Sequence, residues 1–131
     1  MNRRLYIKKI KGKGRGVFCT TLIRKDEIIE TCPVLVLPAS DYDALISSRL
    51  SDYFFNFNKD EGSLLLSLGF GSLYNHALHS NAAYSLDRES RIMVYYALKD
   101  IPAGTEISIN YGGEPGVEYK NWFESRNIRL K

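Results

Sequence analysis

A β-rich fold, mainly strands with short helices, is predicted by three observations on the 131-residue sequence. Short runs of β-branched and aromatic residues recur along the chain, some strictly alternating. Turn signals built on glycine, proline and asparagine separate them. Only two segments carry apolar residues at helical spacing.

The elements follow in order. Residues 4–10, "RLYIKKI", roughly alternate, and after the turn "KGKGRG" the segment 17–23, "VFCTTLI", is β-branched and aromatic, so both are predicted strands. Residues 27–38, "EIIETCPVLVLP", predict two short strands split at Pro33, which cannot donate to a ladder, with Pro38 closing the second. A short helix is expected over 40–50, "SDYDALISSRL", with Ser40 as N-cap, acidic residues in its first turn and Leu45, Ile46 and Leu50 on one face. "DYFFNF" and "SLLLSL" flank the turn "NKDEG" and predict a hairpin; "RIMVYYAL" and "TEISINY" flank "KDIPAG" and predict another. Between them, residues 69–84, "GFGSLYNHALHSNAAY", are too broken for a helix and too glycine-rich for a regular strand. The final stretch 117–131, "VEYKNWFESRNIRLK", spaces Tyr119, Trp122, Phe123 and Arg126 as a short helix would.

The length suits one domain over residues 1–131, with no internal repeat or linker to argue for a second. No apolar run approaches the roughly 20 residues that cross a bilayer, and the basic N-terminus lacks the apolar stretch of a secretory signal, so an intracellular protein, cytoplasmic or nuclear, is expected. The net charge of +3 is mild, and beyond "RRLYIKKIKGKGR" the sequence shows no basic stripe, so direct nucleic-acid binding is not expected. Cys19 and Cys32 form no CxxC and read as two buried thiols. His76 and His79 lie three apart, but no carboxylate or thiol nearby completes a ligand set, so no metal is expected.

Four motifs in order, "GKGRGVF", "GFGSLYNH", "DIPAGTEISINYG" and the aromatic tail, resemble the SET-domain protein lysine methyltransferases, most like the minimal stand-alone, viral-type enzymes. Each motif alone is weak, because a G-x-G occurs in any tight turn and an Asn-His pair in a loop is commonly a hydrogen-bonding pair. Their joint occurrence, from Gly14 and Gly16 through Asn75-His76 and Asn81 to Tyr111-Gly112, carries the resemblance over nearly the whole chain. It implies several small β-sheets with a threaded, knot-like C-terminal segment, and residues 113–131 as an aromatic lid.

The implied activity is methyl transfer from S-adenosylmethionine to a lysine on a protein or peptide, with a histone tail as the leading substrate class. By the same resemblance Lys13, Gly14, Arg15 and Gly16 approach the cofactor's amino-acid end, with Arg15 facing its carboxylate or pointing to solvent. Asn75 and His76 present backbone groups to the adenine and pack the C-terminal segment, so His76 is not a general base. Tyr111 matches the catalytic tyrosine, and Tyr53 a second channel tyrosine. Phe70 and Tyr119 are further channel candidates, and Trp122 a stacking partner for adenine. Because lysine is protonated near neutral pH, aromatic walls that exclude water suit the task of favouring its neutral form.

The chain departs from the family pattern in lacking the zinc-binding cysteine cluster after the core, in carrying Asn110 where aspartate commonly precedes the tyrosine, and in the insertion "GEPGVE". Two other readings remain: a non-catalytic SET-like module that keeps the scaffold and binds a peptide or protein, and, from the charge of "RRLYIKKIKGKGR", a small basic β-domain that binds nucleic acid. Oligomeric state is not legible in the sequence.

Overall fold

The computed structural model describes residues 3–12, 14–58 and 60–117. Lys13, Tyr119, Trp122 and the proposed terminal helix lie outside the described residues. Nine strands are found among them: β1 Leu5–Ile10, β2 Gly14–Cys19, β3 Ile28–Leu37, β4 Phe54–Asn58, β5 Ser63–Ser67, β6 Asn75–His76, β7 Ala82–Asp87, β8 Ile92–Ala97 and β9 Glu106–Ile109. They form two sheets, ordered β1-β2-β9-β6 and β4-β5-β3-β8-β7. All pairings are antiparallel except that of β6 with β9. The inward residues of both sheets share one core, with Val17, Ile29, Leu65, Tyr74, Met93, Tyr95, Ile107 and Ile109 almost wholly buried. Each large apolar side chain hidden this way contributes about 1.5–3 kcal/mol.

Pro33 does not split β3. The strand pairs β8 through Ile28–Pro33 and β5 through Val34–Leu37, on opposite edges, so proline sits at the handover. Its carbonyl accepts from Leu68 N, and Val34 N donates across to Arg91 O, which leaves no ladder bond for the missing proline N–H to break. β2 likewise begins inside the expected glycine turn, at Gly14, and ends at Cys19; of "TTLI" only Ile23 makes a β-bridge, to Ile101.

The expected helix over 40–50 shrinks to α1, Tyr42–Ile46, between 3-10 turns at Ala39–Asp41 and Arg49–Tyr53. Asp41, not Ser40, precedes it, and it has no side-chain cap. No residue of α1 is buried, so no packed face extends it beyond five residues. The hairpin around "NKDEG" forms as expected, between β4 and β5. The one around "KDIPAG" does not: β8 and β9 belong to different sheets. The hairpin partner of β8 is β7, across "RESR", a turn without glycine or proline. Asp87 Oδ1 organises it by accepting from Glu89 N and Ser90 N, and Arg91 adopts a φ of 56°.

Gly71, in the loop before β6, is required by packing. A Cβ there would stand 2.0 Å from Ser67 Oγ and 2.8 Å from Tyr95 Oη, atoms already bonded to each other. Gly71→Ala is therefore expected to cost about 2 kcal/mol through overpacking, read as a lower denaturation midpoint with unchanged slope. Cys19 and Cys32 are both buried free thiols, in separate sheets. Cys19 Sγ donates to Pro102 O, and burial pushes the Cys32 thiol up to about 12. Among the described residues no helix is long and apolar enough to cross a membrane.

Candidate active site

The segment that resisted assignment, 69–84, serves as the frame for β9 and the residues that follow it. β6 is two residues long, with Asn75 opposite Ser108 and His76 opposite Ile109. So short a ladder contributes little, and side chains take over the hydrogen bonding. Asn75, buried, donates from Nδ2 to Glu106 Oε2 at 2.7 Å and to Arg15 O at 3.2 Å, joining β2 to β9. Asn81 completes two backbone bonds at the edge of β9: Nδ2 donates to Glu106 O and Oδ1 accepts from Ser108 N. A Cβ at position 16 would lie 2.5 Å from Glu106 Oε2 and 2.7 Å from Ile10 Cδ1, so any larger residue there would displace the carboxylate that Asn75 bonds.

His76 Nδ1 accepts from Tyr111 N at 3.0 Å. The ring must be neutral at that nitrogen, and burial lowers its pKa, so both observations select the uncharged imidazole. The folded state then resists a proton that the unfolded chain accepts at about pH 6.5, so His76 makes stability fall as pH drops through that value. His76→Asn supplies an amide oxygen as acceptor without a titrating group. The expected outcome is a flatter stability profile between about pH 7 and 5 than that of the parent, measured by urea unfolding.

Asn110 is 1% exposed and uses both of its donors, to Val117 O at 2.9 Å and Leu78 O at 3.3 Å, while Oδ1 accepts from Gly112 N. The stretch after β9 is thereby closed over the loop after β6. Tyr111 follows, its hydroxyl donating to Tyr74 O at 2.7 Å. Tyr74 is itself anchored by its own hydroxyl, which donates to Glu30 Oε1 at 2.7 Å. Burial, then the negative charges of Asp52 and Glu106, push the Tyr111 phenol further above its ordinary value. It is a hydrogen-bond donor at neutral pH, not a base.

Two cavities meet at this tyrosine. One, small and partly open to solvent, is walled by Tyr53, Phe54, Phe55 and Tyr111, with Asp52 and Ser72. The other, also partly open, shares Asp52, Tyr53, Ser72 and Tyr111 and adds Arg15, Leu73 and Asn75. An aromatic chamber and a polar chamber thus share Tyr53 and Tyr111 as their common wall. Aromatic walls take an alkyl amine out of water. The polar chamber is lined by Arg15 and Asp52, residues of opposite charge that fit the zwitterionic end of an amino-acid-bearing cofactor.

Of the residues singled out in the sequence, the structure therefore brings Arg15, Tyr53, Asn75, His76 and Tyr111 together. Gly14 and Gly16 lie on the adjoining strand, though nothing stands within 4 Å of a Cβ added at Gly14. Phe70 lines neither chamber: it is half-buried against the core, and its N–H donates to Glu30 Oε2. Asp52, Phe54, Phe55, Ser72 and Leu73 line the chambers without having been singled out as site residues. Asp52 and Phe55 stand next to or near Tyr53 in "SDYFF" and were legible there; nothing in the sequence marks Ser72. Among the described residues no cluster of three metal-ligating side chains occurs.

A family model described as "SET domain" matches residues 14–112. A Schizosaccharomyces pombe protein named histone-lysine N-methyltransferase, H3 lysine-37 specific, is 33% identical over 121 residues, 92% of this chain and 77% of its own length. A Plasmodium falciparum crystal structure, provisionally named as a histone methyltransferase, is 32% identical with a TM-score of 0.67, covering 87% of this chain and 97% of its own. The Neurospora SET domain protein DIM-5, a histone lysine methyltransferase, shares the fold with a TM-score of 0.64 at 23% identity, over 88% of this chain and 55% of its own. A match that runs from the first glycine of β2 to the residue after Tyr111 spans both chambers, and on it the chain belongs to the SET-domain family.

Proposed function

We propose that the protein is an S-adenosylmethionine-dependent protein-lysine N-methyltransferase whose substrate is a histone tail. The observation that carries this is the junction of an aromatic chamber with a polar one at Tyr53 and Tyr111. The relatives' names supply the substrate class.

S-adenosylmethionine supplies an already activated sulfonium methyl, so the protein's contribution is alignment and exclusion of water. Arg15, with the backbone of residues 13–16 and 75–76, would hold it in the polar chamber. Trp122 and Tyr119 in the segment 113–131 are assigned to the lid. On the other side Tyr53, Phe54 and Phe55 surround the lysine side chain. They disfavour the ammonium form and so release the nitrogen lone pair. Tyr111, held protonated and pinned through its hydroxyl to Tyr74 O, fixes the wall between the chambers rather than taking the proton.

Incubation with isotopically labelled S-adenosylmethionine and core histones, followed by mass spectrometry, tests the reading. Label on a lysine of a histone tail is expected. Peptide binding without transfer would place the chain among the non-catalytic modules, and neither binding nor transfer would overturn the assignment.

A further inference from the structure

The mild net charge conceals a steep asymmetry. Residues 1–19 contain seven Lys and Arg and no Asp or Glu, whereas residues 20–117 contain seven and thirteen. Four of that first group, Lys8, Lys9, Lys11 and Arg15, lie on the β1–β2 hairpin and its turn. Lys9 stands opposite Arg15 in the ladder and Lys8 opposite Gly16. Lys8, Lys9, Lys11 and Arg15 are all exposed. Lys8 Nζ lies 5.5 Å over the Phe18 ring, a contact that leaves its charge at the surface, whereas Arg4 is held by Glu27 at 2.8 Å and by Ile28 O.

The shape of this element narrows its partner. β2 pairs with β9 only at Val17 and Phe18, so towards the turn the hairpin is a two-stranded ribbon at the sheet's edge. Successive residues of a strand point to opposite faces, so Lys8 and Lys9 place cations on both sides of the ribbon, with Lys11 at its turn. A flat acidic protein surface would engage one side only. Among the described residues the ribbon's tip carries no exposed large apolar side chain, the feature that would anchor a protein interface or a membrane insertion. The B-form major groove, about 12 Å wide and bordered by a phosphate row on either side, admits a two-stranded β-ribbon.

We propose that the β1–β2 hairpin is a docking element for the phosphate backbone of duplex DNA, binding without sequence preference. This revises the expectation drawn from overall charge, and it stands independently of the methyltransferase activity. The acidic balance of residues 20–117 has a physical consequence here: it repels phosphate elsewhere and orients the approach hairpin-first.

The test is fluorescence anisotropy of a labelled 20-base-pair DNA duplex titrated with the intact protein across a salt series. Binding should weaken on the order of 10²-fold between about 50 and 200 mM salt, as for roughly four neutralised phosphates. The triple variant Lys8→Gln, Lys9→Gln, Lys11→Gln should lower the slope of log affinity against log salt by about one per lysine removed. Lys25→Gln with Lys99→Gln should leave it unchanged. Should the triple variant fail to fold, as judged by circular dichroism, each single variant is expected to lower the slope by about one. No measurable binding by the parent at low salt, or parent-like affinity and slope in the hairpin variants, would overturn the proposal. Equal affinity for polyglutamate of matched charge would overturn the choice of DNA in favour of an acidic protein. Equal affinity for an A-form RNA duplex, whose deep, narrow major groove excludes side chains, would overturn the groove geometry.

Discussion

Tyr111→Phe is expected to lower the rate of methyl transfer on the order of 10²-fold or more, about 3 kcal/mol in the transition state, while cofactor affinity stays within a few-fold. The substitution preserves the ring, and with it the edge contact with Phe55 at 6.4 Å and the tilted contact with His76 at 5.1 Å between centroids. It removes the hydroxyl that is bonded to Tyr74 O, and so frees the wall between the chambers to shift. The cost to folding should be near 1 kcal/mol, small enough for the fold to persist. Single-turnover methylation at saturating cofactor isolates the effect, with a separate binding titration as control. An unchanged rate would remove Tyr111 from the reaction and leave it a packing residue.

Asn110→Asp is expected to cost roughly 3 kcal/mol or more of stability, although aspartate is the residue commonly found before this tyrosine in the family. In this chain the side-chain amide donates to two carbonyls, Val117 O and Leu78 O, inside a site that is 1% exposed. A carboxylate there donates nothing, faces two acceptors, and loses its hydration. Only the bond received from Gly112 N survives. Lowering the pH should restore part of the loss, because the variant's burial raises its carboxyl pKa and the protonated acid regains one donor. Thermal melts of parent and variant from pH 7 down to pH 4 measure this as a gap in Tm that narrows towards acid. A gap that is absent, or that widens, would mean that Asn110 is not bearing the closure of this segment.

Much of the fold could be read directly, and the failures have specific causes. The alternation of β1 and the "NKDEG" hairpin were legible because local pattern and turn chemistry agreed with the tertiary structure. Pro33 misled because a strand can change partners midway, a fact about its neighbours rather than about its own residues. The pairing of β8 with β7 was missed because a polar turn held by Asp87 carries no glycine or proline, while the more conspicuous "KDIPAG" joins strands of different sheets. In the candidate site, the gathering of Tyr53, Asn75 and His76 around Tyr111 was legible through motif order. Their side-chain duties were not: the amide of Asn75 and the imidazole of His76 serve the protein's own backbone and carboxylates. The position of Asn110 looked like an imperfection in the motif until its three bonds were seen.

The sparse pairing of β9 bears on how the site is built in time. Its ladder consists of two pairs with β2, near residue 17, and two with β6, near residue 75, so its neighbours come from sequence separations of about ninety and about thirty residues. Long loops must close before either pairing is rewarded, whereas the β4–β5 and β7–β8 hairpins assemble locally. Strand β9 is then expected among the last elements to join during folding and among the first to open in the native state. Besides the buried Ile107 and Ile109, it is held by the amides of Asn75, Asn81 and Asn110 around a short ladder. Backbone amides of residues 107–113 should accordingly exchange with solvent deuterium sooner than those of β3 and β8. A ligand that spans the polar chamber would slow that exchange by linking Arg15 on β2 to Tyr111 beyond β9. Tyr111 would thereby become kinetically secure only when that chamber is occupied.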